Sequence, residues 1–83
     1  LSQNYPNPFN PETQFRFRTA TTGVVTLTVY DALGRQVATL LDGWLPAGEH
    51  TTRWTAPGLS SGVYYYRITS GSEEQTRKML LLR

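Results

Sequence analysis

Ser61-Gly62-Val63-Tyr64-Tyr65-Tyr66-Arg67-Ile68 decides the fold. A Ser-Gly turn signal opens onto an unbroken run of β-branched and aromatic side chains, a composition that suits a pleated, half-buried surface. Side chains alternate across a strand, so Tyr64, Tyr66 and Ile68 share one face while Val63, Tyr65 and Arg67 share the other. Arginine is costly to bury, which turns Tyr64, Tyr66 and Ile68 inward. Two inward tyrosines supply much apolar area, and each hydroxyl then needs a partner at the rim of the core. The segment reads as the central strand of a small β domain.

The same alternation recurs on both sides of it. Thr13 to Thr19 turns Phe15 and Phe17 inward and Gln14, Arg16 and Arg18 outward. After a turn at Thr21-Thr22-Gly23, Val24 to Tyr30 turns Val25, Leu27 and Val29 inward, and the two runs read as a hairpin. Asp31-Ala32-Leu33-Gly34 is a turn with Asp first and Gly last. Arg35 to Leu41 matches a helical period at Val37, Leu40, Leu41 and Trp44. It is short, however, and fenced by Gly34 and Asp42-Gly43, so it reads as a strand with room for a bulge. Leu45-Pro46-Ala47-Gly48 is a further turn. Glu49 to Trp54 follows, with Trp54 as a core plug, and then a loop rich in Pro, Gly and Ser. After the Tyr-rich strand and the polar turn Ser70 to Glu74, Gln75 to Leu82 closes the chain. Six strands about ten residues apart, with turn signals between them, form the pattern of a two-sheet antiparallel sandwich.

Leu1 to Pro11 behaves differently. Prolines at 6, 8 and 11 fix φ and remove amide donors, and they push Tyr5, Asn7 and Asn10 towards extended conformations. We expect a strap over 1–12, with Tyr5 and Phe9 pressed onto a sandwich over 13–83, and a seventh strand only if the strap pairs. Asn4, Asn7, Asn10 and Glu12 offer oxygen ligands, but a calcium loop recruits more carboxylate than this. The asparagines read as turn formers.

The chain has 83 residues, which suits one domain. A chain this short buries only about 60–65% of its unfolded surface. Without cysteine it has no staple, so its two tryptophans, five tyrosines and three phenylalanines must build the core. Eight basic and six acidic residues are scattered, which argues against nucleic acid as a partner. The longest aliphatic run, Met79 to Leu82, falls far short of the ~20 apolar residues of a membrane-spanning helix. Leu1 in place of methionine reads as the start of a piece of a longer protein.

No reactive constellation stands out. His50 has no companion and reads as a structural residue at a strand end. Ser60, Ser61, His50 and Asp42 supply the members of a triad without a nucleophile elbow. No enzymatic activity, metal or cofactor is expected. Trp44 and Tyr65 are candidates for a sugar-stacking platform, although a lone tryptophan reads better as tucked over the sandwich edge.

Five stretches, in their order and spacing, carry a resemblance: Asn4-Tyr5-Pro6-Asn7-Pro8-Phe9-Asn10-Pro11, Val29-Tyr30-Asp31-Ala32-Leu33-Gly34-Arg35, Ala47-Gly48-Glu49-His50, Ser61-Gly62-Val63-Tyr64-Tyr65-Tyr66-Arg67, and Thr76-Arg77-Lys78-Met79-Leu80-Leu81-Leu82-Arg83. Together they resemble the type A C-terminal sorting domain of the type IX secretion system, which is related to the immunoglobulin-like domain of flagellar hook-capping proteins. The resemblance spans nearly the whole chain, and the proline strap and the SGVYYYR strand are its most specific parts. It implies an all-β, immunoglobulin/fibronectin III-like antiparallel β-sandwich of about seven strands, at the C-terminal end of a larger exported protein of a Gram-negative bacterium. It further implies a passenger that enters the periplasm by its own N-terminal signal and is then secreted or displayed on the cell surface. The implied partners are the outer-membrane secretion machinery and the upstream passenger. Two positions depart from the pattern: Thr55 stands where many members carry an acid, and Arg83 where a lysine is common.

The last strand is where this resemblance meets the residues. Met79 to Leu82 are apolar on both faces, and a bare apolar edge strand invites another chain. Arg77, Lys78, Met79, Leu80, Leu82 and Arg83 are therefore the candidates for docking to the secretion machinery. The competing reading is a non-catalytic immunoglobulin-like spacer, or a substrate- or carbohydrate-binding accessory module of an extracellular enzyme or adhesin, because fold alone does not fix function.

Overall fold

Each alternating run forms a strand, and the computed structural model describes all residues 1–83. The strands are β1 (Glu12–Thr19), β2 (Gly23–Asp31), β3 (Gln36–Leu45), β4 (Gly48–Thr55), β5 (Gly62–Ser70) and β6 (Glu73–Leu81). There is no helix. Two antiparallel sheets result, β1-β4 and β3-β2-β5-β6. The Tyr-rich strand is central, as expected, with β2 on one side and β6 on the other.

The core lies between the sheets. Phe15 and Phe17 descend from the small sheet onto Val25, Leu27, Val29, Tyr64, Tyr66 and Ile68 of the large one, and all are buried. Phe15 stacks at a tilt on Tyr66 with ring centroids 4.8 Å apart, a favoured aromatic geometry. Trp54 and Phe9 meet at 6.1 Å and close one end. Both inward tyrosines find the partner they need. Tyr64 donates to the Ser60 carbonyl at 2.7 Å, the corner bond of immunoglobulin-like sandwiches. Tyr66 reaches the strap.

Two expectations about pairing are corrected. β1 and β2 are not a hairpin, because β1 pairs with β4 and the link through Thr21 arches from one sheet to the other. Alternation reports which face is buried, and both runs bury one face whether they lie side by side or face to face. β3 also runs on through Asp42-Gly43 to Leu45 rather than stopping at them. Its two register shifts against β2, at Leu27/Thr28 and Val29/Tyr30, absorb the extra residues that imitate a helical period. The turn into β6 shrinks to Gly71-Ser72, with Gly71 at φ 60°, a left-handed conformation that glycine adopts without strain.

The strap takes the place of a seventh strand without becoming one. Three prolines deny it a continuous ladder, so it pairs only at isolated bridges, Tyr5 with Gln14 and, in parallel, Phe9 with Leu81. Ser2 and Tyr5 donate to the Arg16 and Gln14 carbonyls of β1. Phe9 donates to the Leu80 carbonyl and accepts from Leu82 N–H. One segment thus covers an edge of each sheet. Phe9 is buried, but Tyr5 is 66% exposed, against the expectation that both press inward. The strap changes partner between them, so equal spacing in sequence does not put them on one face.

Candidate docking surface

The six candidates in and after β6 separate by side. Met79 and Leu81 alternate into the core, so Met79 is a buried packing residue and is not available to a partner. Arg77 shares their side and donates from Nε to the Leu1 carbonyl at 2.9 Å, which ties down the strap. Arg83 is held by its N–H on Ser61 Oγ at 2.8 Å and by its guanidinium on the Ala56 carbonyl. Lys78 and Leu80 point outward from the large sheet, and Leu82 beyond them is 48% exposed. Three of the six therefore share one accessible surface.

The backbone edge of β6 is also less bare than its sequence suggests. Leu80 N–H is taken by Asn7 Oδ1 at 3.0 Å, the Leu80 carbonyl and Leu82 N–H by Phe9, and the Lys78 carbonyl by the Gln3 amide at 2.9 Å. Addition of a foreign strand is blocked along this part. The strap does not extend over the outer face of the large sheet, where Tyr65 and Leu82 are exposed.

That face gathers residues from four elements near one end. Val63 lies opposite Leu80, and Tyr65 opposite both Lys78 and Tyr30. Arg67 lays its guanidinium over the Tyr30 ring, 4.9 Å from the centroid, an attractive cation–π geometry. Its Nε stays 3.6 Å from Glu74 and without a hydrogen bond. Tyr65 is 36% exposed. The β2–β3 turn closes this end and displays Leu33, 79% exposed. Asp31 organises that turn: Oδ1 accepts Leu33 N–H and Arg35 N–H, both at 2.9 Å, and Oδ2 meets Arg35 Nε at 2.8 Å. These bonds, led by the Arg35 N–H, hold the Asp31 carboxyl below the usual carboxylate range. Gly34 at φ 85° completes the turn. A shallow groove between the turn and the start of β5 is lined by Leu33, Arg35, Ser61 and Val63 among others.

Elsewhere the surface offers little chemistry. The largest concavity, about 520 Å³, is an open trough lined by Arg16, Arg18, Glu49 and His50. Arg18 is paired with Glu49 at 3.6 Å. His50 is structural, with Nε2 2.7 Å from the Pro46 carbonyl and its ring 5.5 Å from that of Phe17. Ser60 lies near Tyr64, at the other end of the sandwich from His50. No three His, Cys, Asp or Glu side chains converge. Asn4 is buried and committed to protein, its amide donating to Thr13 Oγ1 at 3.0 Å and to the Pro6 carbonyl at 3.2 Å. Trp44 does not tuck over the edge. It stands opposite Val24 on the outer face and is 72% exposed, because β3 continues straight through Gly43 instead of turning.

Val63 and Arg67 lie on the outer face, as the alternation of their strand requires, whereas Leu33 and Tyr30 escaped the sequence reading as surface residues. The signal was present at Leu33, an apolar residue inside an Asp-to-Gly turn, where no core can reach it. Comparison with known families finds one whose model, described as a secretion system C-terminal sorting domain, matches residues 3–82. No curated protein and no solved structure matches the chain.

Proposed function

Because the chain belongs to the family of secretion system C-terminal sorting domains, we propose that it is the address by which an outer-membrane type IX translocon recognises an upstream passenger and exports it. The family is one of sorting signals for type IX secretion in bacteria, non-catalytic in general, and membership implies export to the cell surface or beyond. In the finer reading, the passenger reaches the periplasm by its own inner-membrane signal and is then handed to the translocon through this domain.

The observation that carries the reading is the extent of the match. It runs from the strap through every strand, so the unit to be recognised is a folded sandwich and not a short tail. Its geometry suits the task. Leu1 lies among Phe17, Thr19, Ser70 and Glu73 at one end of a body 36 Å long, whereas Leu33 and Leu82 lie at the other. A passenger joined ahead of Leu1 leaves the far end free. The exposed members of the β6 set, Lys78, Leu80 and Leu82, are the docking residues of this proposal. Arg77 and Arg83 hold the fold that presents them.

The test is a passenger carrying an inner-membrane export signal, expressed in a type IX host with and without residues 1–83. Surface display or release that depends on the domain is the expected result. Equal export without it overturns the sorting reading and leaves the spacer.

A further inference from the structure

We infer that the surface through which this domain is read is centred on the β2–β3 turn and the adjacent outer face of the large sheet, with Leu33 as its anchor. The inference rests on the sorting reading above. Leu33 is the most exposed large apolar side chain of the protein. It is displayed by a turn that the Asp31 carboxylate locks through three bonds. A rigid apolar anchor loses little conformational freedom on binding, so more of its contact energy survives as affinity. The groove beside it continues to Val63, whose cross-strand neighbour is Leu80. Tyr30 and Tyr65 extend the apolar surface inward from there.

Charge identifies the occupant. The acid of this patch, Asp31, is neutralised within it by Arg35. Glu74, farther along the face, is turned to Arg67. Lys78 stands in the patch with no acidic partner, and the Arg83 charge at its margin is bonded only to a neutral carbonyl. An apolar centre beside unbalanced cations fits a protein surface of the secretion machinery that has an apolar pocket and an acidic rim. A second copy of the chain fits worse, because an isologous contact brings two copies of the same cationic patch together.

The experiment compares the unmodified domain with Leu33→Ser and Lys78→Glu, in passenger export and in binding to detergent-solubilised translocon purified from a type IX host. Serine suits a turn, and both positions are exposed, so melting temperatures are expected to stay within about 3 °C of the parent. Export and affinity are expected to fall at least about tenfold in each variant, a factor typical of losing one anchor contact. Affinity of the parent is expected to weaken as salt is raised. Folded variants that export and bind like the parent overturn the surface while leaving the sorting reading intact. If the unmodified domain gives no export, the sorting reading itself fails and takes the surface with it. Two controls assign the alternatives. Leu33-dependent binding to phosphatidylglycerol vesicles without translocon binding, or Leu33-dependent dimerisation in sedimentation, would each replace the proposed partner and overturn the inference.

Discussion

Tyr66 shows how one hydroxyl holds a terminus in place. Inside the sandwich it accepts Asn4 N–H at 2.9 Å and donates to the Ser2 carbonyl at 3.1 Å. Tyr66→Phe leaves both strap groups without their partner and is expected to cost about 1–3 kcal/mol, read as a lowered midpoint in urea. Burial, the largest influence on this phenol, pushes its pKa above 10 in the folded state. The neutral form is thus favoured by folding. Its contribution is complete below pH 10 and fades as pH rises through the folded value, so the gap between parent and Tyr66→Phe should narrow above pH 10. Asp31 behaves in the opposite sense. Its folded pKa lies below 3.8, so its contribution is complete above that value and is lost as pH falls through the folded one. The stability difference between parent and Asp31→Asn should therefore shrink below pH 3.8 in a thermal melt series. Trp54, which packs on Phe9 at the end of the core, should cost about 3–5 kcal/mol when truncated to alanine.

Strand identity was legible because alternation is a local property. Phe15, Phe17, Val25, Leu27, Val29, Trp54, Tyr64, Tyr66 and Ile68 were all read as inward, and all are buried. Partner identity was less legible. Nothing in Thr13 to Thr19 says that its neighbour is β4 and not β2, since pairing is settled by which sheet completes the core. The strap was legible in role and only half legible in detail. Phe9 and Tyr5 carry similar apolar bulk, yet only Phe9 faces Trp54. Phe9→Ala is expected to cost about 3–5 kcal/mol and Tyr5→Ala about 0.5 kcal/mol or less. Equal losses in chemical denaturation would refute this assignment. The apolar excess of β6 was legible, but its division between core and surface depends on register, which the Met79 and Leu81 burial fixes. The nearness of the β2–β3 turn to the end of β6 was hidden, because a turn across two strands from β6 is its neighbour only in space.

The two sheets are fastened along one flank by the same segment. Ser2 and Tyr5 bond β1, and Gln3, Asn7 and Phe9 bond β6 and the residue after it. Removing residues 1–9 therefore takes Phe9 out of the core and uncovers an edge of each sheet at once. The truncated sandwich is expected to lose several kcal/mol and to self-associate through its bared edges, the first read by denaturation and the second by light scattering. The opposite flank, β3 and β4, has no such cover, so association in the intact protein should be weak and directed there. The fastening also sets a schedule. Phe9 closes on Leu80 and Leu82, and Arg83 N–H on Ser61, so these bonds wait for residues 80–83. Contacts of such long sequence separation carry a large loop-closure cost. A polypeptide still emerging, or cut short before Leu80, has both sheets in prospect and no clasp to shut them. Completion of this fold is in effect a test of continuity: the clasp shuts only when the strap and residues 80–83 belong to one uncut stretch of polypeptide.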